Sequence, residues 1–161
     1  MSKKCVQPQI TEREQTAIDF ATQAHEGQKR KSGEPYIIHP LAVMNILRDW
    51  GMDEDTVIAG VLHDTVEDTG VSLEEIKEKF GETVAFLVDG VTKLGKARQG
   101  MRDIDTYLPA TKDNLLRLLI ATGADIRVLI IKLADRLHNL RTLSALPPEK
   151  QKKIGKESLE I

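Results

Sequence analysis

Two four-residue strings, TERE at 11–14 and SLEE at 72–75, constrain this chain more than any other feature. In each, a hydroxyl residue is followed three positions later by Glu. This is the reciprocal arrangement in which hydroxyl and carboxylate each accept from a free backbone N–H at a helix start. Helix ends are marked as well: Gly27, Gly51, Gly70, Gly81 and Gly123 each follow a run with helical spacing, where a residue free to take positive φ closes the last turn. The punctuation predicts an all-α protein, with helices near 11–26, 40–50, 53–66, 72–80, 82–90, 111–122, 125–144 and 148–160. IRVLIIKLA at 126–134 is β-branched enough for a buried strand. Its continuation through DRLHNLRTL keeps Ile130, Leu133, Leu137 and Leu140 at helical spacing, so length favours one long helix. KRKSGEPYII at 29–38 and GVTKLGKARQGMRDIDTYLP at 90–109 carry glycine, proline or clustered charge and are predicted to be irregular, the second as a long loop.

A chain of 161 residues suits one domain with a single core. Its 40% hydrophobic and 30% charged residues argue against disorder. With 25 acidic against 23 basic residues there is no global field to attract nucleic acid or an anionic membrane, so an anionic substrate must be drawn by a local patch. Cys5 is the one cysteine, which excludes an internal disulfide and a multi-cysteine metal site and fits a cytoplasmic setting. No apolar run approaches the roughly 18 residues of a membrane span, and no signal-peptide core follows the first residues.

Against this background VLHDTVEDTG at 61–70 stands out. If the helix over 53–66 runs on by a turn, His63 is four residues from Glu67 and Asp64 four from Asp68, forming two adjacent rows. Three acids at a helix C-terminus face the negative end of its dipole, at a cost of a few tenths to about 1 kcal/mol per exposed charge. A bound cation reverses that sign. In YIIHPLAVMNIL, His39 precedes a proline suited to a first helical turn. In KLADRLHNLRTL, Asp135 and Asn139 share a face, and Asp135 is flanked by apolar residues among which an acid needs a partner. The residues alone leave plainer readings open: a solvated acidic helix end, a helix-start histidine at 39, and an ion pair from Asp135 to Arg136 or Arg141.

His39, then His63–Asp64, then Asp135, spread over helices of one domain, form an ordered pattern that resembles the HD superfamily of metal-dependent phosphohydrolases. Two imidazoles and two carboxylates suit a borderline or harder divalent ion with positions left for water and substrate. RKSGEPYIIHP at 30–40, HDTVED at 63–68, FGETVAFLVDGVTKL at 80–94 and DIRVLIIKLADRLHNLRTL at 125–143 resemble more narrowly the hydrolase domain of RelA/SpoT-type alarmone enzymes.

That resemblance implies an HD-domain helical bundle that hydrolyses guanosine 3′-diphosphate 5′-di- or triphosphate, releasing pyrophosphate. It implies Mn²⁺ held by His39, His63, Asp64 and Asp135, with Glu67 and Asp68 as the catalytic acidic pair. It implies nucleotide contacts from Arg30, Lys31, Ser32, Asn139 and Thr142, and structural hydrogen bonding for His25 and His138. Lys93, Lys96 and Arg98 stay open between the 5′-phosphates and solvent. Longer family members continue into further helices and a synthetase domain, so residues 1–161 are expected to be one hydrolase domain, shortened at its C-terminus and without synthetase activity. Two other readings stand beside this one: an HD-type phosphohydrolase of another nucleotide, and a non-catalytic nucleotide-binding regulatory module. The oligomeric state is left open.

Overall fold

Both capping boxes form. Thr11 Oγ1 accepts from Glu14 N while Glu14 accepts from Thr11 N, and Ser72 and Glu75 repeat the exchange. Each such cap stabilises its helix by about 1 kcal/mol. The computed structural model describes residues 9–30, 32–102, 125–143, 148–149 and 151–152. Its elements are α1 (Glu12–Ala24), α2 (Ile38–Asp49), α3 (Glu54–Leu62), α4 (Thr65–Asp68), α5 (Leu73–Phe80), α6 (Glu82–Arg102) and α7 (Ile126–Arg141). There is no strand among the described residues.

The centre is α3. Every residue from Thr56 to Leu62 is buried, so this helix is apolar on all sides and must be surrounded. It packs on α1, α2, α6 and α7, with α5 against α6. Gly60 lets α2 approach: a Cβ there would stand 2.3 Å from Leu47 Cδ1. Thr56, the polar member of the run, is satisfied by its own cap, its hydroxyl donating to Asp53 Oδ2 at 2.6 Å.

Between α1 and α2 the chain forms a narrow loop, closed by an antiparallel bridge from Lys29 to Pro35 and by Tyr36 N donating to Gln28 O at 3.0 Å. Its tip turns at Gly33, whose φ of +90° is one that L side chains rarely adopt. The expectation of irregular structure at 29–38 holds up to the start of α2 at Ile38.

Two expectations fail. The loop predicted over 90–109 is helical as far as Arg102; Val84, Leu87, Val88, Val91 and Leu94 are buried at helical spacing and carry the helix across Gly90. Gly90 serves that packing, since a Cβ there would lie 2.7 Å from Val128 Cγ2 on α7. Conversely, the helix predicted to run through 53–66 stops at Leu62. His63 and Asp64 form a break, with Asp64 at φ −98° and ψ −7°, before the single turn of α4. Residues 103–109 and the helix expected at 111–122 lie outside the described residues. Of 148–160, residues 148, 149, 151 and 152 are helical and the others lie outside. No helix among the described residues is long and apolar enough to cross a membrane.

Candidate metal centre

The break after α3 makes the site. In a continuous helix neighbouring residues point about 100° apart. Here the backbone turns so that His63 Nε2 and Asp64 Oδ1 come within 3.0 Å of each other. His39, in the first turn of α2 ahead of Pro40, brings its Nε2 to 3.5 Å from Asp64 Oδ2 and 3.3 Å from Asp135 Oδ1 on α7. His39, His63 and Asp135 are buried, and each offers a donor atom within 4.8 Å of the others, a group that could hold a metal ion. Donors bound to one ion at about 2.1 Å stand about 3.0–3.4 Å apart at right or tetrahedral angles, so the spacings around Asp64 admit it as a fourth.

The outward nitrogens set the tautomers. His63 Nδ1 lies 2.8 Å from the carbonyl of Gly60, an acceptor only, so Nδ1 carries the hydrogen and Nε2 faces the carboxylates. His39 Nδ1 lies 2.7 Å from His138 Nδ1. Burial, with His39 and Arg30 beside it, pushes His138 down to about 4, so its Nδ1 serves as an acceptor. His138 thus bonds structurally, as expected.

Charge in the pocket calls for a cation. Burial works against ionisation of both Asp64 and Asp135. For Asp64 the charge of His63 outweighs it, and for Asp135 the His39 hydrogen bond and Lys132 do, so both carboxylates are held well below their ordinary range. Burial also opposes charge on His63, but Asp64 and then Asp135 prevail and push the imidazole up to about 9. A proton therefore does the work of a cation here, and a metal ion would displace it. His63 Nε2 is buried with no hydrogen-bond partner despite its closeness to Asp64, the mark of a donor atom aimed at something other than that carboxylate. The mixed nitrogen and oxygen set fits a divalent ion.

Asp135 pairs with neither Arg136 nor Arg141. Lys132 Nζ is 2.9 Å from its Oδ2 and Asn139 Nδ2 donates to its Oδ1 at 2.6 Å, so one face of α7 braces the carboxylate from both sides. Beside the centre opens a cavity of about 340 Å³, within the range of small-molecule sites. Glu67 and Asp68 line it, with Arg30, Lys132, Arg136 and Asn139. Arg30 NH2 donates to Asn139 Oδ1 at 3.1 Å.

Other expected nucleotide contacts are not brought to the cavity wall. Ser32 Oγ is exposed and donates to Glu34 at 3.1 Å, and Thr142 Oγ1 bonds to the carbonyls of His138 and Asn139. Lys31 lies outside the described residues. Lys93 is exposed and paired with Asp89 at 2.6 Å, while the side chains of Lys96 and Arg98 lie outside the described residues. His25 is tied to Gln28, as expected of a structural residue.

Sequence reasoning missed Lys132 and Tyr36, and it offered Arg136 only as an ion-pair partner of Asp135 and not as part of the cavity wall. Lys132 and Arg136 had a signal, since they stand three before and one after Asp135 on a helix whose acid needed a partner. Tyr36 had none: its hydroxyl lies 2.8 Å from Asp64 and 2.9 Å from Asp68, residues far along the chain.

Comparison with known proteins agrees with this geometry. The family model described as HD domain matches residues 17–161. A relative from Aquifex aeolicus named guanosine-3′,5′-bis(diphosphate) 3′-pyrophosphohydrolase is 51% identical over 154 residues, covering 96% of this chain and 21% of the relative. A Streptomyces coelicolor protein named GTP pyrophosphokinase is 52% identical over 145 residues, covering 90% of this chain and 16% of that one. The chain thus spans about a fifth of the length of these relatives. A solved structure titled "A metazoan ortholog of SpoT hydrolyzes ppGpp and plays a role in starvation responses" superposes with a TM-score of 0.72 at 28% identity, over 95% of this chain and 85% of that one. With the break at His63–Asp64, the donors from α2 and α7 and the helical bundle that joins them, the chain belongs to the HD-domain family.

Proposed function

We propose that this chain is a Mn²⁺-dependent 3′-pyrophosphohydrolase of guanosine 3′-diphosphate 5′-di- or triphosphate, its residues forming one alarmone hydrolase domain that acts in the cytoplasm. The observation that carries the reading is the convergence of His39, His63, Asp64 and Asp135 beside a second pair of carboxylates, Glu67 and Asp68, in a cavity with cationic walls. The relatives' names supply the substrate class. One of them names a pyrophosphokinase, so the hydrolytic reading is supported by the site, where Glu67 and Asp68 line the cavity beside the candidate metal ligands.

His39, His63, Asp64 and Asp135 would hold the ion. When bound, it supplies charge that polarises phosphate oxygens and acidifies water. Glu67 and Asp68 orient the attacking water and take its proton; as close acids they titrate together and share that work. The water oxygen bonds to the phosphorus nearest the ribose, the bond from that phosphorus to the 3′ oxygen breaks, and the 3′ oxygen regains a proton. Lys132 and Arg136 on the wall offset phosphate charge. Arg30, held by Asn139, offers a guanidinium plane to the base and a fork of donors, which an ammonium lacks. Lys31, Ser32 and Thr142 complete the nucleotide contacts in this reading.

The test is incubation of the metal-stripped chain with guanosine 3′,5′-bis(diphosphate), with and without Mn²⁺, followed by chromatography. GDP and pyrophosphate should appear in the Mn²⁺ arm alone. No product in that arm overturns the enzyme reading, and turnover of other nucleotides with this one untouched overturns the substrate.

A further inference from the structure

The carboxylates Glu67 and Asp68 ride on α4, which is one turn long. Isolated helices shorter than about 12 residues are marginal in water, so a four-residue turn does not hold a side chain still by itself. Its acids also sit where the helix dipole disfavours negative charge. Within the turn, Asp68 N donates to Asp64 O at 2.9 Å and Thr69 N to Thr65 O at 3.1 Å. These two bonds hold the backbone only as firmly as a single turn can, and they leave the Asp68 carboxylate free to rotate.

The bracing comes from the loop between α1 and α2. Gln28 Nε2 donates to the carbonyl of Asp68 at 2.9 Å, and Gln28 Oε1 is 2.9 Å from His25 Nδ1. The His25 ring stacks on Tyr36 with centroids 4.7 Å apart and planes 27° apart. Above that platform the Tyr36 hydroxyl reaches Asp64 Oδ2 at 2.8 Å and Asp68 Oδ2 at 2.9 Å. A phenol carries one hydrogen, so the two carboxylates share it as a three-centre bond rather than each receiving a full one.

We propose that Tyr36, seated on His25, is a positioning residue whose hydroxyl ties the Asp68 carboxylate to Asp64 and so holds the acid pair in register with the metal centre. Its catalytic consequence rests on the function proposed above; the tether itself does not. The same narrow loop carries Arg30 to the cavity, so one element sets both the nucleotide contact and the acid.

The variant Tyr36→Phe keeps the ring and its stack and removes only the hydroxyl. Amide hydrogen exchange at Asp68 and Thr69 should quicken by about fivefold or more, with α2 and α3 protection and the melting temperature unchanged. With saturating Mn²⁺, kcat for the bis-diphosphate nucleotide should fall about 10–100-fold while KM stays within about twofold. Added to Asp68→Ala, Tyr36→Phe should cost nothing further, because the tethered group is already gone. Unchanged exchange at Asp68, an equal loss in both backgrounds, or a raised KM with kcat intact each overturns the proposal. If the wild-type chain turns over no nucleotide, the proposed function falls, and the exchange measurement alone still decides the tether.

Discussion

α6 and the α3–α4 junction are mirror images of one another. Residues 90–102 contain three glycines and clustered charge, signals of a break, and they stay helical. Residues 63–64 carry no breaker at all, and there the helix stops. Each interior glycine costs a helix about 1 kcal/mol relative to alanine, whereas one buried Val or Leu contributes about 1.5–3 kcal/mol. The apolar row from Val84 to Leu94 outweighs Gly90, where the missing side chain is itself the packing surface for Val128. At 63–64 the competing demand is polar: two adjacent donors must face one point, and a regular helix forbids it. Local propensity lost both contests, once to a core and once to a site.

The largest expected effects probe the polar side of this comparison. Glu67→Gln should lower turnover by about 10²–10⁴-fold with Mn²⁺ affinity, read by calorimetry, within about threefold of wild type. Asp135→Asn should lose both, with Mn²⁺ affinity down at least about tenfold; equal affinity in the two proteins would remove Asp135 from the ligand set.

The apolar side has its own pair of tests. Gly90→Ala pushes a methyl into Val128 and should destabilise by about 1–3 kcal/mol in urea titration. Gly95→Ala would place its methyl 3.4 Å from Glu67 Oε2, an ordinary contact. It should gain up to about 1 kcal/mol of helix stability. If both variants lose stability alike, packing is not what distinguishes the two glycines.

Smaller effects belong to the helix starts, where local sequence and structure agree. Ser72→Ala should cost about 1 kcal/mol, read as a lower urea midpoint, because it leaves a helix N–H without its acceptor. The smallest is a pH effect. At the start of α7 the Arg127 hydrogen bonds, against a little burial, hold Asp125 below its ordinary 3.8. A depressed folded pKa contributes stability above the unfolded value and loses it as pH falls through the folded one. Asp125→Asn should therefore narrow the gap in melting temperature to wild type as pH drops from about 5 to about 2. A gap that widens on acidification would contradict that sign.

What was legible in the candidate site follows the same division. His39, His63, Asp64, Asp135, Glu67 and Asp68 sit in short strings whose residue types suit a cation and water chemistry; all but the buried His63 line one cavity, and His63 lies against Asp64 behind it. Arg30 and Asn139 were also legible, as a basic turn and as the residue one turn beyond Asp135, and they meet at 3.1 Å. Lys132 as the partner of Asp135 was passed over for Arg136 and Arg141, because an arginine neighbour looks equally able to pair until side-chain directions on α7 are known.

By itself the sequence determined where several helices begin, that the regular elements among the described residues are helices, and which residues can carry the chemistry. Those are interactions within one or two turns, written in adjacent letters: a hydroxyl and a Glu at a capping box, an apolar residue every third or fourth place. The tertiary structure alone decided that α6 runs through its glycines, that α3 halts at His63, and that a tyrosine 28 residues before Asp64 bridges it to Asp68. Each of these depends on a neighbour brought close by folding, where the energy of burying a side chain or satisfying a buried carboxylate exceeds the small local preference it overrides.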